Sequence, residues 1–269
     1  MTTVLDTPVD ALAPIALEEL NERAALQTRV DRKYLLRPDA VTALLDAVAP
    51  VARVLEIGGR RRFGYRSVYL DTALWDSYHA AATGRRRRFK VRLRSYLDHD
   101  GPQWIEVKLR GPRATTVKHR RAVTDVPRAF ADGSVDGAWR LDEDSAGFVA
   151  GVLAAARVDL DVSALRPVLT TSYRRTTLLV EPGCRVTIDT HPSWSLVGAG
   201  RGFALPGIAI VETKSAGSAS TVDMLLWSRG HRPARISKYC TGLAALVPEL
   251  RANRWQPVLR GYFSEGSTS

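Results

Sequence analysis

Cysteine is nearly absent from this chain. Two residues in 269, Cys184 and Cys240, stand far apart and without metal-ligand spacing. Two buried, reduced thiols are expected, which suits a reducing cytosol. Long apolar runs are missing as well, so nothing approaches the ~18 residues a membrane span needs. Asp6, Asp10, Glu18 and Glu19 stand where a secretory leader would carry basic residues and then an apolar core. A cytoplasmic, soluble protein is the expectation. There is no GxxxxGKS or GxxxxGKT phosphate loop, no GxGxxG after a first strand and no HExxH. The five histidines (His79, His99, His119, His191 and His231) show no metal spacing.

Positive charge, by contrast, is plentiful. Composition is ordinary for a globular protein, 45% hydrophobic and 25% charged, but the net charge is +11. That excess implies an acidic partner: nucleic acid, a polyphosphorylated small molecule or an anionic membrane surface. The arrangement of the charges narrows the choice. Charged residues recur at every second position in Arg86-Arg88-Lys90-Arg92-Arg94, Glu106-Lys108-Arg110, Lys118-Arg120 and Glu212-Lys214, and Arg185 and Asp189 flank Thr187 in the same alternation. In an extended strand such residues share one surface, because successive side chains point to opposite faces. Between them lie Phe89, Val91 and Leu93, then Ile105, Val107 and Leu109. Each strand thus has an apolar face for the protein and a basic face for an anion.

The pattern predicts strands over Val30–Leu36, Gly64–Asp71, Arg86–Tyr96, Gln103–Arg110, Thr116–Val123, Leu169–Val180, Arg185–Asp189 and Ile208–Lys214. Helices are predicted from Asp39, over Leu74–Ala82, within AGFVAGVLAAA, over Ser220–Arg229 and from a Ser237 cap to Leu250. Residues 1–27 read as a flexible lead and 251–269 as a tail, the end of it disordered. About eight sequential strands with tight turns point to an α+β protein with an antiparallel sheet closed into a barrel, wide enough for one small ligand.

Each motif also has a plainer reading. Arg85–Arg88 is a solvated face or a nucleic-acid contact. Glu106-Val107-Lys108, Glu212-Thr213-Lys214 and Asp31-Arg32-Lys33 fit surface ion pairs, which contribute little. The functional reading gives the carboxylates Glu106, Asp189 and Glu212 to a divalent metal, since Mg²⁺ and Mn²⁺ bridge carboxylates to phosphates. The neighbouring cations, Lys118 and Lys214 among them, then take phosphate oxygens. Five like charges on one strand face, Arg92 and Arg94 included, repel unless an anion lies among them. Tyr173 and Arg175 share a face, and Arg185, Thr187 and Asp189 share another. Lys238 opens a helix whose free N–H groups favour an anion, or it is a surface lysine after an N-cap. Nucleic acid is the weakest partner, because Phe89 falls on the apolar face and leaves no stacking platform among these cations.

In order, VDRKYLL, RFKVRLRSY, WIEVKLRG, TTSYRRTTL, RVTIDT, AIVETKS and RISKYCTGL resemble the VTC domain, the polyphosphate-polymerase domain of the vacuolar transporter chaperone complex. That domain belongs to the triphosphate tunnel metalloenzymes, alongside CYTH proteins. The resemblance runs over residues 28–250. It implies an eight-stranded antiparallel β-barrel tunnel with helices outside and a C-terminal plug helix. The implied activity is transfer of the ATP γ-phosphate to inorganic polyphosphate with a divalent metal, Mn²⁺ or Mg²⁺. Carried over, Lys33, Arg92, Arg94, Lys108, Arg175, Arg185 and Lys238 resemble the phosphate-binding cations, Tyr173 the family's tyrosine, and Glu212 the metal-binding glutamate beside Lys214. Asp31 stands where related tunnel enzymes often carry glutamate. A tunnel hydrolase and a non-catalytic polyphosphate binder are the other expectations.

Overall fold

Alternating sequence becomes alternating faces throughout this α+β protein. The computed structural model describes residues 6–23, 30–98, 101–111, 116–123, 130, 133–181, 183–215, 217–263 and 267–268. The chain opens with α1 (Asp6–Asp10), β1 (Ala13–Ile15), α2 (Leu17–Arg23), β2 (Val30–Leu36), α3 (Pro38–Val48) and β3 (Ala52–Leu55). It continues through β4 (Phe63–Asp71), α4 (Asp76–Ala82), β5 (Phe89–Tyr96), β6 (Gln103–Arg110), β7 (Thr116–Val123) and α5 (Glu143–Ala155). Then come β8 (Arg166–Val180), β9 (Cys184–Leu196), β10 (Gly202–Ala204), β11 (Ala209–Ser215), α6 (Thr221–Ser228), α7 (Lys238–Leu246), α8 (Gln256–Val258) and β12 (Ser267–Thr268). Eight of these strands have seven residues or more, matching the expected number.

The chain divides into two compact units. Unit one is Met1–Phe63, Tyr173–Pro192 and Leu205–Arg235; unit two is Gly64–Ser172, Ser193–Ala204 and Ile236–Ser269. In unit one, β11 lies antiparallel between β2 and β9, while β3 pairs antiparallel with β8 and parallel with β1. One face of its strands carries Tyr34, Leu36, Val186, Ile188 and Val211 onto Leu44 and Leu45 of α3 and Val222 and Leu226 of α6. The i, i+3, i+4, i+7 spacing of Val41, Leu44, Leu45 and Val48 buries one side of α3, and Pro38 starts it.

In unit two, β4, β5, β6 and β7 form an antiparallel meander. Its apolar face packs Val91, Leu93, Ile105 and Val107 against Val149 and Leu153 of α5. Asp142 caps α5 by accepting from the Ser145 N–H at 2.8 Å, and Ser237 caps α7 through the Cys240 N–H at 3.1 Å, as the sequence predicts.

Described residues of the expected lead and tail pack within these units. Ile15 and Leu20 are buried with Leu55 and Leu179. Trp255 is buried against Tyr78, and Phe263 packs on Trp194 and Phe203. These apolar residues are spaced too sparsely to show periodicity. The remaining residues of the predicted disordered end, 264–266 and 269, lie outside the described set. Both cysteines are free and buried, as expected. Among the described residues no helix is long and apolar enough to cross a membrane.

Gly242 of α7 faces the Trp194 indole so closely that an added Cβ would overlap the ring. Trp194 is itself packed on Phe203 and donates from Nε1 to the Lys238 carbonyl at 2.7 Å. Gly242→Ala is therefore expected to cost about 1–3 kcal/mol through overpacking. Urea denaturation of the variant measures it, and an unchanged midpoint would show that the indole yields freely.

Candidate functional site

The polar face of the unit-two meander is a ladder of charge. Strand register sets Arg92 opposite Glu106, and Glu106 opposite Arg120. The next rung is Lys90, Lys108 and Lys118, three ammonium side chains across three strands. Glu106 is 1% exposed. Its Oε2 accepts from Arg92 at 2.7 Å through Nε and lies 2.5 Å from Nη2. Arg94 is 3.7 Å from the same oxygen, and Lys118 donates to Oε1 at 3.3 Å. Burial alone would raise the Glu106 carboxyl, but Arg92, Arg94, Lys118 and Lys108 outweigh it and hold the group well below the usual carboxylate range. Burial lowers the Lys118 ammonium; Glu106 opposes this, while Arg94 and Arg120 reinforce it.

Three residues of β4 complete this face: Tyr65, Ser67 and Tyr69. The Tyr69 hydroxyl accepts from Arg92 Nη1 at 3.2 Å, and the Arg94 guanidinium lies 5.4 Å from the Tyr65 ring centre. Ser67 sits opposite Arg94. Among the described residues, the Ser67 hydroxyl and Arg94 Nε are buried without a hydrogen-bond partner. An unmet buried donor costs about 1–3 kcal/mol, and an oxyanion would satisfy both. None of the three β4 residues is charged, so the spacing of charges passes over them; their own every-second-residue spacing is the signal that marks them.

The first turn of α7 is anchored to the same unit at three points. Lys90 Nζ donates to the Ser237 hydroxyl at 2.8 Å, Trp194 bonds the Lys238 carbonyl, and the Tyr239 hydroxyl donates to the buried Asp71 carboxylate. Tyr239 also stacks on Tyr69 at 5.0 Å. Lys238 is thus brought to the region of Lys90 by its backbone.

Unit one carries a second polar face. Register places Glu212 opposite Lys33 on β2 and Thr187 on β9, and Lys214 opposite Asp31 and Arg185. Lys214 Nζ is 3.3 Å from Glu212. Arg175 forks onto Asp189, donating from Nε and Nη2 at 2.6 and 2.7 Å, and its guanidinium lies 5.1 Å from the Tyr173 ring centre. Asp189 is fully buried. Among the described residues, the buried Thr187 hydroxyl has no partner. Arg32, between Asp31 and Lys33, points the other way and pairs with Asp223 at 3.3 Å.

The expected site residues therefore fall into two groups. Arg92, Arg94, Glu106, Lys108, Lys118 and Lys238 belong to unit two, and Lys33, Tyr173, Arg175, Arg185, Asp189, Glu212 and Lys214 to unit one. The three carboxylates expected at a metal differ in their surroundings. Glu106 is ringed by cations, and both oxygens of Asp189 accept from Arg175. Among the described residues no three His, Cys, Asp or Glu side chains converge as a metal cage. That donor set fits a hard cation held by one carboxylate and by phosphate oxygens, the usual arrangement for Mg²⁺ at phosphates. It does not fit an all-protein site.

A family model, the VTC domain, matches residues 28–247. The chain belongs to the VTC domain family. No curated protein matches it. Among solved structures, HpAC1 from Hippeastrum, an adenylyl-cyclase candidate with a dominant triphosphatase activity, is 14% identical over 81% of this chain and 97% of its own, with a TM-score of 0.50. The PH1819 protein of Pyrococcus horikoshii OT3 is 13% identical over 85% and 99%, at 0.42. The inorganic triphosphatase NE1496 is 14% identical over 70% and 73%, at 0.25. This VTC domain shares its fold with the first of these.

Proposed function

We propose that this VTC domain is a metal-dependent phosphotransferase that moves the γ-phosphate of ATP onto a growing inorganic polyphosphate chain, in the reducing cytoplasm that suits its two free thiols. The observation that carries this reading is the polar ladder of unit two, where three lysines share a rung and buried donors of Ser67 and Arg94 await an acceptor. Arg92, Arg94, Lys108, Lys118 and Lys238 bind phosphate oxygens there. Lys33, Tyr173, Arg175, Arg185 and Lys214 do so in unit one.

Phosphoryl transfer asks for position and charge neutralisation more than covalent chemistry. A terminal phosphate oxygen of the acceptor forms the new P–O bond, the bond from the γ-phosphorus to its bridging oxygen breaks, and ADP leaves. Cations fixed on strands meet the spreading charge without reorganising. Glu212 would hold the divalent cation, Mn²⁺ or Mg²⁺, which supplies Lewis acidity to the phosphate oxygens. With water as acceptor the same groups would hydrolyse a triphosphate. The triphosphatase activity of HpAC1 makes that the second reading.

Incubation of the protein with ATP and Mn²⁺, with products resolved on a polyphosphate-stained gel, tests the proposal. A ladder of chains is expected, lost in Glu212→Ala and on chelation. Free phosphate without chains would favour the hydrolase. Polyphosphate binding that survives chelation, without turnover, would leave a binding module.

A further inference from the structure

The charged ladder of unit two does not stop at its lysine rung. The register that pairs Lys90 with Lys108 continues one step past the start of β5, where the Arg110 N–H donates to the Arg88 carbonyl at 3.2 Å. Arg88 therefore stands opposite Arg110, two residues from Lys90 and Lys108 along the same strands. Arg88 Nη1 also donates to the Arg85 carbonyl at 3.4 Å. Arg254 reaches the same end from the residues after α7. Gly84, at φ +73°, leaves no side chain where the Arg254 guanidinium lies, and buried Trp255, 5.4 Å from the Tyr78 ring, anchors the backbone beside it.

Among the described residues no ion pair joins Arg85, Arg86, Arg87, Arg88, Arg110 or Arg254 to an acidic side chain. Arg85, Arg86, Arg87 and Arg110 are exposed, and Arg88 is half-buried. Partial burial, followed by the charges of Arg110 and Arg254, lowers the Arg88 guanidinium, so Arg110 and Arg254 each repel Arg88. Like charges gathered this way are relieved by an anion.

We propose that Arg85–Arg88, Arg110 and Arg254 form a second anion-binding site, which holds a stretch of condensed phosphate beyond the three phosphates of a triphosphate. Length supports this. The six steps of strand from Arg88 to Arg94 span roughly 20 Å, with a cation about every 7 Å, longer than a triphosphate needs. Guanidinium groups suit phosphate through paired donors. Nucleic acid fits less well, because the nearby rings, Tyr78 and Trp255, are buried and offer no stacking face. The ligand class rests on the polyphosphate reading proposed above.

The test is equilibrium binding without turnover, using the full chain, with tripolyphosphate, a long-chain polyphosphate and a single-stranded oligonucleotide as probes. The wild type should bind the long chain about tenfold or more tightly than tripolyphosphate. Combined Arg88→Gln, Arg110→Gln and Arg254→Gln should remove most of that preference and leave tripolyphosphate affinity within about twofold. Arg86→Gln with Arg87→Gln, at exposed positions, should lower it in the same sense should the triple variant not fold. Unchanged long-chain affinity in these variants would overturn the site, as would an equal loss for tripolyphosphate. A loss confined to the oligonucleotide would overturn the phosphate-chain assignment in favour of nucleic acid. A length preference in a protein that forms no polyphosphate from ATP would sustain the site and sink the polymerase reading; turnover without a length preference would do the reverse.

Discussion

Replacing Glu106 with alanine is expected to destabilise the protein by about 3–5 kcal/mol, the usual cost of leaving buried charges without their partner. Arg92 and Arg94 are 7% and 8% exposed, and Glu106 is the carboxylate placed between them. Tripolyphosphate should raise the melting temperature of the variant more than that of the wild type, since the anion takes over the missing charge. Equal shifts would mean that the ligand does not meet these cations. The pH dependence has a definite sign. Because the folded-state pKa of Glu106 is depressed from 4.5, its stabilisation is full above about pH 4.5 and declines as pH falls below it. Glu106→Ala should lack that acid-range component, and urea midpoints measured across the range would show it.

Arg175→Ala should have the second large effect. It removes the two hydrogen bonds that Arg175 donates to fully buried Asp189, at a cost of about 3–5 kcal/mol. On the proposed polymerase reading it should also lower kcat/KM for ATP by on the order of 10²-fold or more, as expected when a fixed donor to a developing charge is lost. Arg175→Lys separates the roles, because lysine keeps the charge but not the planar fork. Partial recovery of stability with activity still low is the expected pattern. Wild-type turnover in Arg175→Lys would show that Arg175 serves Asp189 alone.

The two faces of each strand are legible in the chain alone, because alternation with period two needs no knowledge of neighbours. Phe89, Val91 and Leu93 point one way and Lys90, Arg92 and Arg94 the other, as the spacing predicts. The roles of the carboxylates are less legible. Glu106-Val107-Lys108 looks like Glu212-Thr213-Lys214 in one dimension, yet Glu106 sits between arginines from the next strand and Glu212 beside its own Lys214. Tyr65, Ser67 and Tyr69 show the same limit, since uncharged residues join a charged face only through the strand beside them. Ile15, Leu20 and Trp255 fall in the expected lead and tail because single apolar anchors carry no periodicity.

Family membership, the eight principal strands, the capped helices and the basic faces were determined by the sequence itself, since each follows from local spacing and short-range sterics. Register was decided only in three dimensions. It set three lysines on one rung, placed Arg88 against Arg110, and brought arginines to the carboxylates of Glu106 and Asp189. Pairings of that kind join residues from separate strands, and their energies depend on distance and burial, neither of which is written along the chain.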